Sequence, residues 1–198
     1  MNKPTILIVD DEPVVLTVIN QTLTGHYQVR AANSGERALR IAVTEPIPDL
    51  ILLDVLMPEM DGYDVLVHLK NNPITQLIPV IFVTAMGDEL DEAKGLGLGA
   101  VDYITKPLTP SILLARVKTH LTLKKARDVL DDKNTFLEAE VARRMEENLV
   151  VQDVSIRALA HLAEIRDPET GGHILRTQAY VEVLAKELQN HDRFRNII

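Results

Sequence analysis

Through the first 120 residues, short apolar runs alternate with stretches in which apolar positions recur at helical spacing. The runs Ile6–Val9, Gln28–Ala31, Leu50–Leu53, Val80–Val83 and Val101–Ile104 read as strands. Three of them (ILIV, LILL and VIFV) are apolar at every position, the pattern of strands buried on both faces. Helical patterns start near Pro13, Gly35, Gly62 and Asp88, and another follows Pro110. Pro13 and Pro110 fall in first helical turns, where a missing N–H is harmless. Ser34 stands where its hydroxyl can cap the helix GERALRIAV. Five strands alternating with five helices predict an α/β fold on a doubly wound, five-stranded parallel sheet.

Beyond that region the pattern changes. From Thr109 to Arg166 there is no glycine and, after Pro110, no proline. Unbroken, this helix would run ~87 Å at 1.5 Å per residue. Leu123, Leu130, Leu137, Val151 and Ala158 fall on a seven-residue spacing, Arg144 spoils one turn, and Val141, Val154 and Leu162 sit near a companion stripe. A two-stranded coiled coil with a stutter near Arg144 fits this pattern, and a parallel homodimer would cover the stripe. The charged residues around it are those of a solvated helix face, and Arg143-Arg144 is too small a basic patch for DNA. A short all-α segment follows: two amphipathic helices flanking the break D-P-E-T-G-G at 167–172.

Polar residues stand at the ends of the apolar strands. Asp10 and Asp11 follow the first strand, Asp54 ends the third, Thr84 the fourth and Lys106 the fifth. Open α/β sheets bind ligands outside the carboxyl ends of their strands, so all five groups converge on one edge. Three carboxylates brought together repel one another unless a cation or the lysine neutralises them. An all-oxygen acidic cluster suits Mg²⁺, and a hydroxyl with an ammonium on the same pocket suits a phosphoryl group.

Composition narrows the field. A net charge of −8 argues against a protein that grips nucleic acid through its overall field, and aromatics at 4% with no Trp argue against base stacking. The absence of cysteine excludes disulfides, thiolate metal sites and a cysteine nucleophile. No apolar run approaches the ~20 residues of a membrane helix, and the N-terminus lacks a signal-peptide core. A cytoplasmic protein is expected.

The segments DDE (10–12), D-V-L-M-P-E-M-D-G (54–62), T-A (84–85) and Y-I-T-K-P (103–107) together resemble the response-regulator receiver domain of two-component signalling, over roughly residues 3–122. The resemblance implies a flavodoxin-like sheet of order 2-1-3-4-5 and a phosphorelay function in which Asp54 accepts phosphate from a cognate histidine kinase. It implies that Asp11 and Asp54 bind Mg²⁺ with the Leu56 backbone carbonyl, while Asp10 acts mainly through a metal-bound water. Thr84 and Lys106 would meet the phosphoryl group. Tyr103 would turn inward when Thr84 moves, signalling to the face of the fourth helix, fifth strand and fifth helix. The Lys106–Pro107 bond is expected to be cis.

The C-terminal stretch A-L-A-x-L-A-E-x-R-D-x-E-T-G-x-H, continuing x-x-R-x-x-x-Y-V-x-x-L-A, resembles the opening of HD-GYP domains, metal-dependent phosphodiesterases of cyclic di-GMP. Glu169 and His173, four apart on the connection and the opening turn of the second helix, can reach one metal ion. The resemblance makes them metal-site residues, with iron or manganese in the complete domain, and gives Arg176 no catalytic role. The family resemblances of the segments on either side imply a division into 1–122, a helical linker at 123–152, and 153–198. Only about the first quarter of an HD-GYP domain is covered: no P-L-H-D-I-G-K-like segment and no Gly-Tyr-Pro occurs. Cyclic di-GMP is therefore a substrate of an intact parent only, and this chain is expected to be inactive as a phosphodiesterase. His191-Asp192, in a polar connection, lacks the apolar wall and supporting shell of a metal pair. Two alternatives remain: a non-enzymatic adaptor binding a partner protein, and part of a hybrid histidine kinase with His161 as phosphoacceptor.

Overall fold

A computed structural model of the chain describes residues 3–85, 94–166 and 168–190, without the side chains of 163–166, 168–172, 174, 175 and 189. The chain forms two compact units, Met1–Asp131 and Asp132–Ile198.

The first unit is an all-parallel sheet of β1 (Thr5–Val9), β2 (Gln28–Ala32), β3 (Leu50–Asp54), β4 (Val80–Thr84) and β5 (Asp102–Thr105), in the order β2-β1-β3-β4-β5. Helices α1 (Pro13–Leu23), α2 (Gly35–Ala42) and α3 (Gly62–Asn71) connect the strands, and α4 is described over residues 94–97. The helix start expected near Asp88 lies outside the described residues. Helix α5 (Pro110–Arg166) continues without interruption from the first unit into the second. Every residue of β1, β3 and β4 is buried, as their uniformly apolar pattern requires.

Period-two alternation sorts the strand residues onto two faces. Leu7, Val9, Ile51, Leu53, Val80 and Phe82 pack with Ala38, Val65, Leu66 and Leu69 of α2 and α3. Ile6, Ile8, Leu50, Leu52, Ile81 and Val83 pack with Ile19 and Leu23 of α1 and with Leu113 and Val117 of α5. Burying each such side chain contributes about 1.5–3 kcal/mol, so the sheet is a rigid platform for the groups at its ends. Local chemistry agrees with packing: Ser34 caps α2 by accepting from the Arg37 N–H, and Asp61 caps α3 by accepting from the Asp64 N–H.

The second unit holds the rest of α5 and α6 (Pro168–Gln189). The break expected at 167–172 is shorter than its letters suggest. Pro168 opens α6, as a first-turn proline can, and Gly171-Gly172 lie inside the helix. Glu169 is therefore helical, where a connection was expected, and two glycines of ~1 kcal/mol intrinsic cost each do not interrupt the helix. Ala160 of α5 is fully buried, and the charge of Asp153 on α5 bears on Glu182 of α6.

Candidate phosphoacceptor site

The carboxyl ends of β1, β3, β4 and β5 deliver the predicted groups to one place. Asp10 follows β1 and is fully buried, and its Oδ1 accepts the Glu12 N–H at 2.9 Å. Asp11 is half-buried. Asp54 ends β3 and is 3% exposed. One carboxylate oxygen from each of Asp10, Asp11 and Asp54 lies within 4.8 Å of the others. These are hard oxygen donors at a spacing that one small divalent cation can bridge, so the cluster is compatible with Mg²⁺.

Lys106 supplies the counter-charge. Its Nζ donates to Asp10 Oδ2 at 2.8 Å and to Asp54 Oδ2 at 3.0 Å. Its backbone N–H donates to the Thr84 carbonyl at 2.8 Å, which fixes the start of the loop after β5 to the end of β4. The Lys106–Pro107 bond is cis, as the receiver resemblance implies. Burial raises the Asp54 pKa above the ordinary aspartate value, Asp10 adds to the rise, and Lys106 opposes it. Burial alone would lower the Lys106 pKa, but Asp10 and Asp54 together outweigh it and hold the ammonium above its usual range. The site is therefore a buried anion pair bridged by a committed cation.

Thr84 is buried at the end of β4. Together with Tyr103, Phe82 and Tyr63 it lines a cavity of about 120 Å³ beside α4. Tyr103 is half-buried and packs against the same core. Leu56 is 54% exposed on the loop after β3, and its N–H points at Asp54 Oδ1 from 3.4 Å. His173 is exposed on α6; the Glu169 side chain and His191-Asp192 lie outside the described residues.

One contact that shapes the site escaped the reading of the sequence, although Gly62 itself was placed at a helix start. Gly62 opens α3, and its N–H donates to the Val55 carbonyl at 2.9 Å. A Cβ there would overlap the Asp54 carbonyl oxygen and stand 2.9 Å from Val55 Cα. The helix thus seats itself against the backbone of Asp54, and only glycine permits the approach. Its signal was the D-G at 61–62, a capping residue followed by glycine at a helix start.

The chain belongs to the response-regulator receiver family: the model of the "Response regulator receiver domain" matches residues 6–118. It is 49% identical over 198 residues to a Vibrio cholerae serotype O1 protein named "Probable cyclic di-GMP phosphodiesterase", covering 100% of this chain and 45% of that one. It is 44% identical over 122 residues to the alkaline phosphatase synthesis transcriptional regulatory protein PhoP of Bacillus subtilis, covering 61% of this chain and 49% of that one. The chain thus spans about half the length of these relatives. A solved receiver-domain protein from Clostridium thermocellum superposes with a TM-score of 0.57 at 31% identity, covering 62% of this chain and 98% of that structure. The chain contains the receiver domain of a response regulator, and receivers work with histidine kinases; neither the adaptor nor the hybrid-kinase alternative is favoured by these matches. No helix among the described residues is long and apolar enough to cross a membrane.

Proposed function

We propose that Asp54 is the phosphoacceptor of a two-component relay and that phosphorylation is the input to an output beyond the receiver. One observation carries this reading: a buried aspartate at a strand end, within reach of two further carboxylates, holds a lysine ammonium at 3.0 Å. An Asp54 carboxylate oxygen attacks the phosphorus of the kinase's phosphohistidine, the P–N bond breaks, and the imidazole leaves with the electron pair. Asp11 and Asp54, with the Leu56 carbonyl, would hold Mg²⁺, with Asp10 acting mainly through a metal-bound water, and the cation would supply counter-charge to the phosphoryl oxygens. Lys106 then turns from the carboxylates to the new phosphoryl oxygens, Thr84 donates its hydroxyl to them, and Tyr103 follows into the space beside Thr84.

The proposed organisation is a receiver at 1–122, a linker at 123–152 and the opening of an HD-GYP domain at 153–198. Similarity to the Vibrio protein along the whole chain supports a cyclic di-GMP phosphodiesterase as the parent's output, with Glu169 and His173 among ligands for iron or manganese. Leu123, Leu130 and Leu137 are each more than half exposed, and Val141, Met145 and Leu149 continue the stripe at four-residue steps. That shift carries the stripe past Arg144, and it supports a parallel homodimer along α5 with a stutter there. Incubation with radiolabelled acetyl phosphate and Mg²⁺ tests the phosphosite: wild type should take up label and Asp54→Ala none. Undiminished labelling of the variant would refute the assignment.

A further inference from the structure

The edge of the sheet opposite Asp54 carries a second arrangement of charge. Arg116, His120, Lys124 and Arg127 succeed one another on α5 at steps of four, four and three residues, which places them along one helix face. Together they are fastened to three points at the amino-terminal edge of the sheet: Asp102, Asp49 and the turn at Leu77. Arg116 Nη1 and His120 Nε2 meet Asp102 Oδ2, at the start of β5, at 3.1 and 3.0 Å. Lys124 Nζ meets Asp49 Oδ1, just before β3, at 3.3 Å. Arg127 Nη2 donates to the Leu77 carbonyl, in the turn before β4, at 2.7 Å.

These anchors are themselves fixed. Asp102 Oδ1 accepts the Tyr103 N–H at 2.9 Å, so the carboxylate that α5 grips also holds the backbone of Tyr103. Asp49 Oδ2 accepts the Thr5 N–H at 2.9 Å, and the Asp49 N–H donates to the Thr5 carbonyl at 2.7 Å. Lys70 Nζ holds the carbonyls of Gln76 and Ile78 on either side of Leu77. Burial and the neighbouring Arg127 lower the Lys70 pKa, as expected where two cations serve one turn. For Lys124, burial acts downward, but Asp128 and Asp49 outweigh it and hold the ammonium above its ordinary range.

We propose that this ladder is a coupling clamp: it makes α5 through Asp128 a rigid part of the receiver, so that a shift of β5 at Tyr103 leaves the receiver through the linker helix beyond Asp128. The helix could have parted from the sheet soon after Val117, the last of its fully buried apolar residues in the first unit. Beyond Val117 only the partly buried Leu121 still packs against this core, and His120, Lys124 and Arg127 fasten the turns around and after it. Ion pairs of this partly exposed kind each contribute modestly, but a row sharing rigid anchors restricts the helix to one orientation.

The switching half of this proposal rests on phosphorylation of Asp54, and the clamp itself does not. Hydrogen–deuterium exchange of the full chain, with and without acetyl phosphate and Mg²⁺, reads both. Without the donor, Lys124→Ala/Arg127→Ala should exchange severalfold faster than wild type over residues 119–131, with rates over 50–54 and 80–84 unchanged. With the donor, and with equal label on both proteins, wild type should change its exchange over 132–145 and the double variant should not. If the double variant loosens throughout, Asp49→Asn carries the same comparison, because it keeps an acceptor for Thr5 while removing the charge facing Lys124. Wild-type rates over 119–131 in the variants would overturn the clamp. A phosphorylation response over 132–145 that survives in the variants, or is missing from labelled wild type, would overturn the coupling. A wild type that takes no label instead removes the reading of Asp54, and the donor-free comparison still decides the clamp.

Discussion

The two compact units treat their apolar residues in opposite ways. In Met1–Asp131, strand residues alternate between two packed faces, and twelve of the largest side chains are essentially inaccessible to water. In Asp132–Ile198, Ala160 alone among the described residues is a buried apolar residue, while Phe136, Leu137, Val141, Met145, Leu149 and Leu159 are each more than half exposed. Both segments carry regular apolar patterning, yet only the first finds its complement in the same chain. A period-two run becomes a core because five strands and their helices return to one place. The stripe on the long helix stays mostly exposed among the described residues, and the proposed dimer would cover it.

The comparison is tested most sharply at its functional centre. Complete loss of acetyl phosphate labelling in Asp54→Ala is the largest effect expected, and Lys106→Ala should leave labelling possible while abolishing the response of Tyr103. Tyrosine fluorescence on phosphorylation reads the second effect; a wild-type change in Lys106→Ala would detach the lysine from the switch. The next effect concerns the bare stripe. Leu137→Asp/Met145→Asp should weaken self-association by roughly a hundredfold or more, since each change removes an apolar contact from both helices of the pair. Arg144→Ala, off the seam, should leave it unchanged. Sedimentation equilibrium distinguishes the two, and a wild type that is monomeric throughout would end the dimer reading.

A smaller effect is expected where the closed unit is tightest. Gly62→Ala forces a methyl group onto the Asp54 carbonyl, and relief requires α3 to shift from the strand that carries Asp54. Overpacking of this kind costs about 1–3 kcal/mol. Denaturant unfolding should show the loss, with slower labelling in the same protein; unchanged stability would mean that the helix start is softer than its contacts indicate.

How much of this was legible in the residues follows from the same contrast. ILIV, LILL and VIFV announce buried strands because every position must be apolar when both faces are covered, and the polar residues that end them announce the site. The bridge from Lys106 to both Asp10 and Asp54 required only that these ends converge. Gly62 was not legible, because its role is set by the distance between two backbones that are remote from each other in the local pattern. Nor was the ladder on α5: Lys124 and Arg127 sit in a run that reads as a solvated face, and only the sheet's amino-terminal edge shows what they hold. The break at 167–172 misled because proline and two glycines are punctuation by propensity, while helix α6 runs through them.

The smallest effect expected is a matter of sign. Burial first, and Asp10 second, raise the Asp54 pKa above 3.8, with Lys106 opposing them. Between 3.8 and the raised value, the folded protein holds a proton that the unfolded chain has released, so stability falls as pH rises through that window. At neutral pH the ionised, buried Asp54 is therefore a cost to folding. Asp54→Asn removes the charge while keeping an acceptor for Lys106. In the presence of a chelator, the variant should melt a few degrees above wild type at neutral pH, and the gap should narrow as pH falls toward 3.8. Mg²⁺ should reverse the order, because a cation bound as proposed would stabilise the three-carboxylate cluster and would have one anion fewer to bind in the variant. An Asp54→Asn protein that is less stable than wild type without metal would mean that Lys106 already compensates the buried charge in full. The receiver would then carry no stored repulsion for the cation to relieve.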